Sequence, residues 1–155
     1  MKTVTLCYCL NGPRILLGMK KTGFGAGKYN GFGGKVKECE SIPQATVREL
    51  GEESGVRANE IDLDKVAEIE FSFEGQPKFH CHVFLLKIWN GKPVETEEMS
   101  VEWFGKNTLP LDRMWVADRY WLPRVLAGEK LMVEVNFNKT GDEILEISMT
   151  EIAFD

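Results

Sequence analysis

Gly34-Lys35-Val36-Lys37-Glu38-Cys39-Glu40-Ser41-Ile42-Pro43-Gln44-Ala45-Thr46-Val47-Arg48-Glu49-Leu50-Gly51-Glu52-Glu53-Ser54-Gly55-Val56 is the stretch around which the chain is organised. It reads as a loop, a short helix and a glycine stop. Ser41 is placed to cap the helix, and Gln44, three residues on, can return the bond in a capping box. Pro43 suits the first turn, where a missing N–H is no loss. Gly55 stands where a helix of this length stops. Within the helix Glu49, Glu52 and Glu53 fall at i, i+3 and i+4 and share one face. Leu50, with Val47 and Pro43, predicts a separate apolar stripe for packing on a sheet.

A face of carboxylates is a poor choice for stability. Like charges at i, i+4 cost roughly 0.2–0.5 kcal/mol. The cluster also lies in the C-terminal half of the helix, where the dipole disfavours negative charge by about 0.3–1 kcal/mol per group. Arg48, four residues before Glu52, offsets part of this. A hard divalent cation can offset the rest, since Mg²⁺ takes carboxylate oxygens, keeps several waters and bridges to substrate phosphates. A solvated acidic face is the plainer reading of the helix alone.

The longer pattern decides between the two. Gly34, five residues, Glu40, seven residues, then Arg48-Glu49-Leu50-Gly51-Glu52-Glu53-Ser54-Gly55-Val56 matches the Nudix box at every defined position. The chain therefore resembles the Nudix hydrolases, which cleave nucleoside diphosphates linked to another group. The resemblance implies a Nudix fold of the α+β class, with a mixed, curled β-sheet packed between helices as an α/β/α sandwich. It also implies one Nudix domain over residues 1–155.

With 155 residues the chain is long enough for one domain with its own core. A net charge of −5 suits poorly the tracking of a nucleic-acid polymer, which relies on Lys and Arg to neutralise phosphates. A small phosphorylated ligand remains compatible if metal supplies positive charge. No apolar run approaches the ~20 residues of a membrane span. Cys7, Cys9, Cys39 and Cys81 form no C-x-x-C pair, and Cys7 and Cys9 on a strand would share one face as small core residues. Free thiols without a secretion signal predict a reducing cytoplasm. His80-Cys81-His82 does not read as a structural zinc site, because adjacent strand residues face opposite ways and the ligand spacing is wrong.

Taken in order, residues 2–9 and 14–19 predict strands on either side of an Asn11-Gly12-Pro13 turn. Six glycines between Lys20 and Gly34 predict a loop with close backbone approach, lacking the Gly-Lys-Ser/Thr end of a Walker loop. Residues 57–64 read as polar connection. Strands are predicted at about 65–74, 78–89 and 99–104, a helix at about 118–127, and a hairpin of about 130–137 and 143–152. Asp118 is expected at the N-cap or in the first turn of its helix.

A second resemblance spans nearly the whole chain. Leu16-Leu17-Gly18-Met19-Lys20-Lys21, Gly23-Phe24-Gly25-Ala26-Gly27 and Asn30-Gly31-Phe32-Gly33-Gly34 look like the oxidised-purine nucleoside triphosphatases of animals. So do Phe71, Phe73, Pro93-Val94-Glu95, Glu98-Met99, Trp103-Phe104, Met114-Trp115, Asp118, Tyr120-Trp121 and Pro123. That family hydrolyses 8-oxo-dGTP and 2-hydroxy-dATP to the monophosphate and pyrophosphate. A purine is flat, and stacking on an aromatic ring is worth roughly 1–3 kcal/mol per base. Trp115, Phe71, Phe24 and Met99 can wall such a base, whereas Phe73, Trp103 and Trp121 read as core. Carried over from the resemblance, Asn30 and Asp118 read the base edge, and Thr5 and Lys20 match pocket positions.

Three departures stand out. The family carries two consecutive aspartates after Trp-Pro, but this chain has Trp115-Val116-Ala117-Asp118, leaving open whether 2-hydroxy-dATP is a substrate. Cys39 stands where the family usually has glycine before the first box Glu; a positive φ there would cost about 1 kcal/mol or more. The third is His80-Cys81-His82, in a segment one residue shorter than the family's, expected to reshape the pocket rim near Phe79.

For the chemistry, the resemblance implies Mg²⁺-assisted attack of water on a triphosphate phosphorus, with Mn²⁺ as the alternative ion. Glu52 and Glu53 are expected to hold the metal, with the Gly33 carbonyl and Glu98 as further contributors. Glu49 is either a ligand or the group that orients the water. Arg48 is expected to fix the helix carboxylates and Glu40 to brace the loop. The partner is a small nucleoside triphosphate, bound by a monomer. A Nudix enzyme for another purine triphosphate or nucleoside diphosphate conjugate, and a non-catalytic nucleotide-binding module, are the competing readings.

Overall fold

The computed structural model describes residues 1–154. Its strands are β1 (Lys2–Asn11), β2 (Arg14–Lys20), β3 (Tyr29–Asn30), β4 (Leu63–Phe73), β5 (Gln76–Leu86), β6 (Met99–Gly105), β7 (Leu131–Phe137) and β8 (Ile144–Glu151). The helices are α1 (Ile42–Ser54) and α2 (Asp118–Leu126). Among the described residues these strands form one sheet in the order β3-β2-β1-β5-β4-β7-β8, with β6 paired to β2. The β1–β5 and β4–β7 pairs are parallel and the others antiparallel. The fold is thus α+β with a mixed, open sheet.

Strand alternation sorts the core into two layers. Tyr8, Leu10, Val83 and Leu85 face α2, where they meet Trp121, Leu122 and Val125. Cys7, Cys9 and Leu86 face the other way, toward Leu50 of α1 and Val56. Both cysteines are buried free thiols, as their spacing predicts. Each helix covers one face of the sheet.

The sheet is curled because β1 and β2 pair only beside their turn, at Leu10–Ile15 and Asn11–Arg14. Beyond that point they part, and residues 31–36 run into the gap. Cys7 and Phe32 exchange backbone hydrogen bonds of 2.7 and 2.9 Å, and the Thr5 N–H donates to the Gly34 carbonyl at 2.9 Å. This wedge carries the segment that leads into α1.

The helix forms as its sequence predicts. Ser41 and Gln44 close both bonds of the capping box, and Gly55, at φ 76°, ends the helix with its N–H on the Gly51 carbonyl. The buried face differs from the expected stripe: Ala45, Thr46, Leu50, Glu53 and Ser54 are buried, while Pro43 and Val47 are only partly covered. Residues 57–64 are not all connection, since Glu60–Asp62 make a 3₁₀ turn and β4 already begins at Leu63. β5 stops at Leu86, short of residue 89, because its antiparallel partner begins at Leu63, directly opposite Leu86. Asp118 opens α2 in the first turn; the capping position is Ala117, without a side-chain cap, and the Asp118 carboxyl is buried.

Cys39 has φ 62°, the left-handed conformation that an L side chain disfavours by about 1–2 kcal/mol. Part of any gain from glycine is lost to its freer unfolded chain, roughly 0.4–1 kcal/mol. Cys39→Gly is therefore expected to stabilise the protein by about 0.5–1 kcal/mol in denaturant unfolding. A loss of stability would show that the Cys39 side chain contributes contacts outweighing the strain.

Candidate active site

The parting of β1 and β2 leaves a cavity of about 450 Å³ between the glycine loop, β1 and α2. Thr5, Lys20, Phe24, Asn30, Phe71, Met99, Trp115 and Asp118, all expected at a pocket, line it, as do Gly33 and Glu53. Glu53 thus joins the carboxylates of α1 to the place where a base can lie.

At the carboxylate end, Arg48 organises the charges. Its Nε and Nη2 donate to Glu40 at 2.6 and 2.9 Å, its Nη1 to Glu49 at 2.8 Å and to Glu52 at 3.3 Å. Nη2 also donates to the Lys35 carbonyl at 3.0 Å. Glu40 in turn accepts the Lys37 N–H at 3.0 Å, closing the loop before the helix. The guanidinium holds the Glu40 carboxyl down at about 2. One planar cation therefore braces three carboxylates, a geometry suited to the fixed fork of Arg and not to Lys.

Glu53 is outside that network. It is 5% exposed and takes the Gly33 N–H at 2.8 Å. Burial pushes its carboxyl up to about 8, with the neighbouring charges of Glu49 and Glu98 adding to the rise. Glu98 is exposed, and its backbone carbonyl accepts the Lys21 N–H at 3.0 Å. The Glu49 carboxyl lies against Gly34: a Cβ on Gly34 would stand 2.6 Å from it. Oxygen donors crowded around a buried carboxyl with no cation of its own fit a hard divalent ion. Glu49, Glu52, Glu53 and Glu98 are the residues that would hold it.

At the opposite end of the cavity the rings form a cluster. Phe24, 49% exposed, packs 5.3 Å from Trp115 and 5.5 Å from Phe79, and Trp115 backs onto Phe137 at 5.8 Å. Phe73, expected in the core, packs against it on Phe137 at 5.3 Å and also lines the cavity, meeting Phe24 edge-on at 6.1 Å. Trp121 is core as expected, fully buried, yet its edge reaches the cavity. Trp103 packs away from the cavity, on Trp89 and beneath Arg14.

Two polar side chains are aimed by the core. The Asn30 Oδ1 accepts the Tyr8 hydroxyl at 3.0 Å and the Gly31 N–H at 2.8 Å, so the Asn30 amide N–H groups are turned to the cavity. Asp118 Oδ1 accepts the Trp121 indole N–H at 3.2 Å, while the buried Oδ2 has no partner among the described residues. Burial raises the Asp118 carboxyl to about 7.

Lys2, Lys28, Lys35 and Lys78 also reach the cavity, and only Lys20 was expected there. Lys78 sits 4.2 Å over the Phe24 ring and Lys28 5.3 Å over Trp115. Each reads as an ordinary surface lysine, and only the folded arrangement collects them. His80 and His82 do not line the cavity; of that trio Cys81 alone does, beside Phe79, because His80 and His82 share the opposite face of β5.

The NUDIX domain profile matches residues 1–125. The chain belongs to the Nudix family. It is 43% identical over 149 residues to the oxidized purine nucleoside triphosphate hydrolase of Mus musculus, across 96% of this chain and 94% of that one. It is 40% identical over 152 residues to the protein of the same name from Danio rerio, across 97% and 96%. The crystal structure of the mMutator MutT protein from Bacillus halodurans shares the Nudix fold, at a TM-score of 0.79 and 20% identity over 96% of this chain and 97% of that one. The chain is a Nudix hydrolase, a class that works with a divalent metal. None of its described helices is long and apolar enough to cross a membrane.

The raised Glu53 carboxyl has a consequence for stability. The folded chain keeps a proton that the unfolded chain loses above about 4.5, so without metal this contribution is complete below that pH and is lost as pH rises through about 8. Thermal melts of metal-free protein from about pH 5 to pH 9 should show that decline, and Glu53→Gln should flatten it. An equal slope in both proteins would assign the pH dependence to other groups.

Proposed function

We propose that this Nudix hydrolase converts oxidised purine nucleoside triphosphates, 8-oxo-dGTP foremost, to the monophosphate and pyrophosphate, clearing damaged precursors from the nucleotide pool. The observation that carries the reading is the Asn30–Asp118 pair at the aromatic end of the cavity, with its free amide donors and its unpartnered, near-neutral carboxyl. Relatives at 43% and 40% identity that bear the name oxidized purine nucleoside triphosphate hydrolase support it. Reduced cytoplasmic thiols and action as a monomer complete the proposal.

The base edge is where specificity arises. N7 of guanine is an acceptor. Oxidation at C8 turns that position into an N–H donor, and a donor–acceptor reversal is what a carboxyl can read. Asp118 near its midpoint at neutral pH can accept from an N–H or donate to a carbonyl, while Asn30 donates. Phe24, Trp115, Phe71 and Met99 exclude water from the faces of the ring. Thr5 lies on β1 beside the same cavity. A single carboxyl in place of two narrows the range of purines, so 2-hydroxy-dATP is the weaker substrate in this reading.

Toward the phosphates, Lys20 and the other cavity lysines supply positive charge on an otherwise acidic protein. Mg²⁺ is the proposed ion, with Mn²⁺ as the alternative, held by Glu49, Glu52, Glu53, Glu98 and the Gly33 carbonyl. When bound it neutralises phosphate charge and polarises the phosphoryl oxygens toward attack. Arg48 keeps Glu49 and Glu52 in place, and the Gly33 N–H does the same for Glu53. Glu49 either ligates the ion or orients the attacking water. Catalysis of this kind is mostly positioning and charge stabilisation.

The test is pyrophosphate release with Mg²⁺ from 8-oxo-dGTP, dGTP, 2-hydroxy-dATP and dATP, compared as kcat/KM. Preference for 8-oxo-dGTP is expected, and comparable turnover of dGTP would place the natural substrate elsewhere. Loss of a hydrogen bond to a charged group costs about 1.5–3 kcal/mol, so Asp118→Asn should lower kcat/KM for 8-oxo-dGTP by about ten-fold or more. Glu53→Gln should keep the fold and lose about 10²-fold or more in kcat, as removal of a preorganised charge-stabilising group does elsewhere. Near-full activity of Glu53→Gln at saturating Mg²⁺ would remove Glu53 from the metal site.

A further inference from the structure

His80 and His82 are the chain's two histidines, and both stand on one face of β5. Alternation sends Cys81 to the cavity on the other side, so the cysteine cannot join a His-Cys-His site while the two imidazoles stay together. The β4–β5 register sets Glu68 directly across from His82. The His80 Nε2 lies 2.7 Å from Glu68 Oε1, and the His82 Nδ1 lies 3.9 Å from Glu68 Oε2. One ligand atom from each of the three residues falls within 4.8 Å of the others. None of the three lines the nucleotide cavity.

A second observation points to a ligand. His82 is 8% exposed, and among the described residues its buried Nδ1 has no hydrogen-bond partner. A buried orphan ring nitrogen is costly unless something coordinates it. The nitrogen faces a carboxylate and a second imidazole, which is the donor set of two His and one Glu found around zinc with one position open to water. Lys65 holds the other side of the carboxylate, its Nζ 2.7 Å from Glu68 Oε2. That leaves Oε1, whose partner is the His80 ring.

We propose that Glu68, His80 and His82 form a second metal site, for a borderline divalent ion such as Zn²⁺, separate from the carboxylates of α1. Imidazole nitrogen selects Zn²⁺, Ni²⁺ or Cu²⁺ over Mg²⁺ and Ca²⁺, which take oxygen. The ion replaces the His80–Glu68 hydrogen bond: His80 moves its ring proton to Nδ1 and offers Nε2, a tautomer change without net proton loss. Lys65 then acts as an outer partner that orients Glu68. The bound ion clips β4 to β5 on the face turned away from Cys81.

The chain's histidine content makes the test direct, because every imidazole signal belongs to the site. Zn²⁺ is titrated into the whole protein with Mg²⁺ in excess, and the ring nitrogens are followed by long-range proton–nitrogen NMR. Both imidazoles should shift together and saturate at one equivalent, while Mg²⁺ or Ca²⁺ alone leaves them unmoved. His80→Ala should weaken Zn²⁺ binding by at least about ten-fold in a competition assay. Unmoved imidazoles, or equal affinity in His80→Ala, would overturn the site and place any bound Zn²⁺ on carboxylates. Because the NMR readout needs neither nucleotide nor turnover, its failure is distinct from failure of the proposed activity.

Discussion

A Cβ at position 33 would stand 1.7 Å from the Thr5 carbonyl oxygen, a distance no side chain survives. That close approach is the constraint on which the rest of the site depends. It lets the 31–36 segment lie flat against β1 in the gap left by β2. It brings the Gly33 N–H within 2.8 Å of Glu53, and it sets Gly34 against the Glu49 carboxyl. The same contact thereby joins the sheet, the glycine loop and α1. A residue larger than glycine at 33 would push the α1 carboxylates away from the cavity as well as strain the loop.

Charge is distributed unevenly around this junction. Arg48 saturates its fork on Glu40, Glu49 and Glu52, and its cost in side-chain entropy is spread over several bonds. Glu53 receives one N–H and, among the described residues, forms no ion pair. The protein therefore stabilises the scaffold half of its acidic cluster and leaves the buried half short of positive charge. That is the electrostatic state a metal ion relieves; burial first, and the charges of Glu49 and Glu98 after it, raise the Glu53 carboxyl.

At the other end, orientation matters more than composition. Asn30 would be ambiguous by itself, since its amide can turn either face outward. Tyr8, buried on β1, settles the matter by donating to Oδ1. Trp121 does the equivalent for Asp118, occupying one carboxyl oxygen and leaving the second free. Gly141 permits the Trp115 wall, because a Cβ there would lie 2.6 Å from the indole. The pocket is thus shaped by residues behind its walls as well as by the walls themselves.

By itself the sequence determined the features whose causes lie within a few residues. The Ser41–Gln44 box, the Gly55 stop and the shared face of Glu49, Glu52 and Glu53 follow from helix periodicity, and the alternation of Cys7 and Cys9 follows from the strand. The spaced Nudix pattern added the family, and the separate likeness to the animal oxidised-purine nucleoside triphosphatases added the expected pocket residues from Thr5 to Asp118. Tertiary structure alone decided that Glu53 is buried while Glu52 is exposed, that Phe73 faces the cavity, that four further lysines gather at it, and that His80, His82 and Glu68 converge. Each of these depends on which strand lies next to which and on where β1 and β2 part. Those are non-local pairings that no short window of sequence contains.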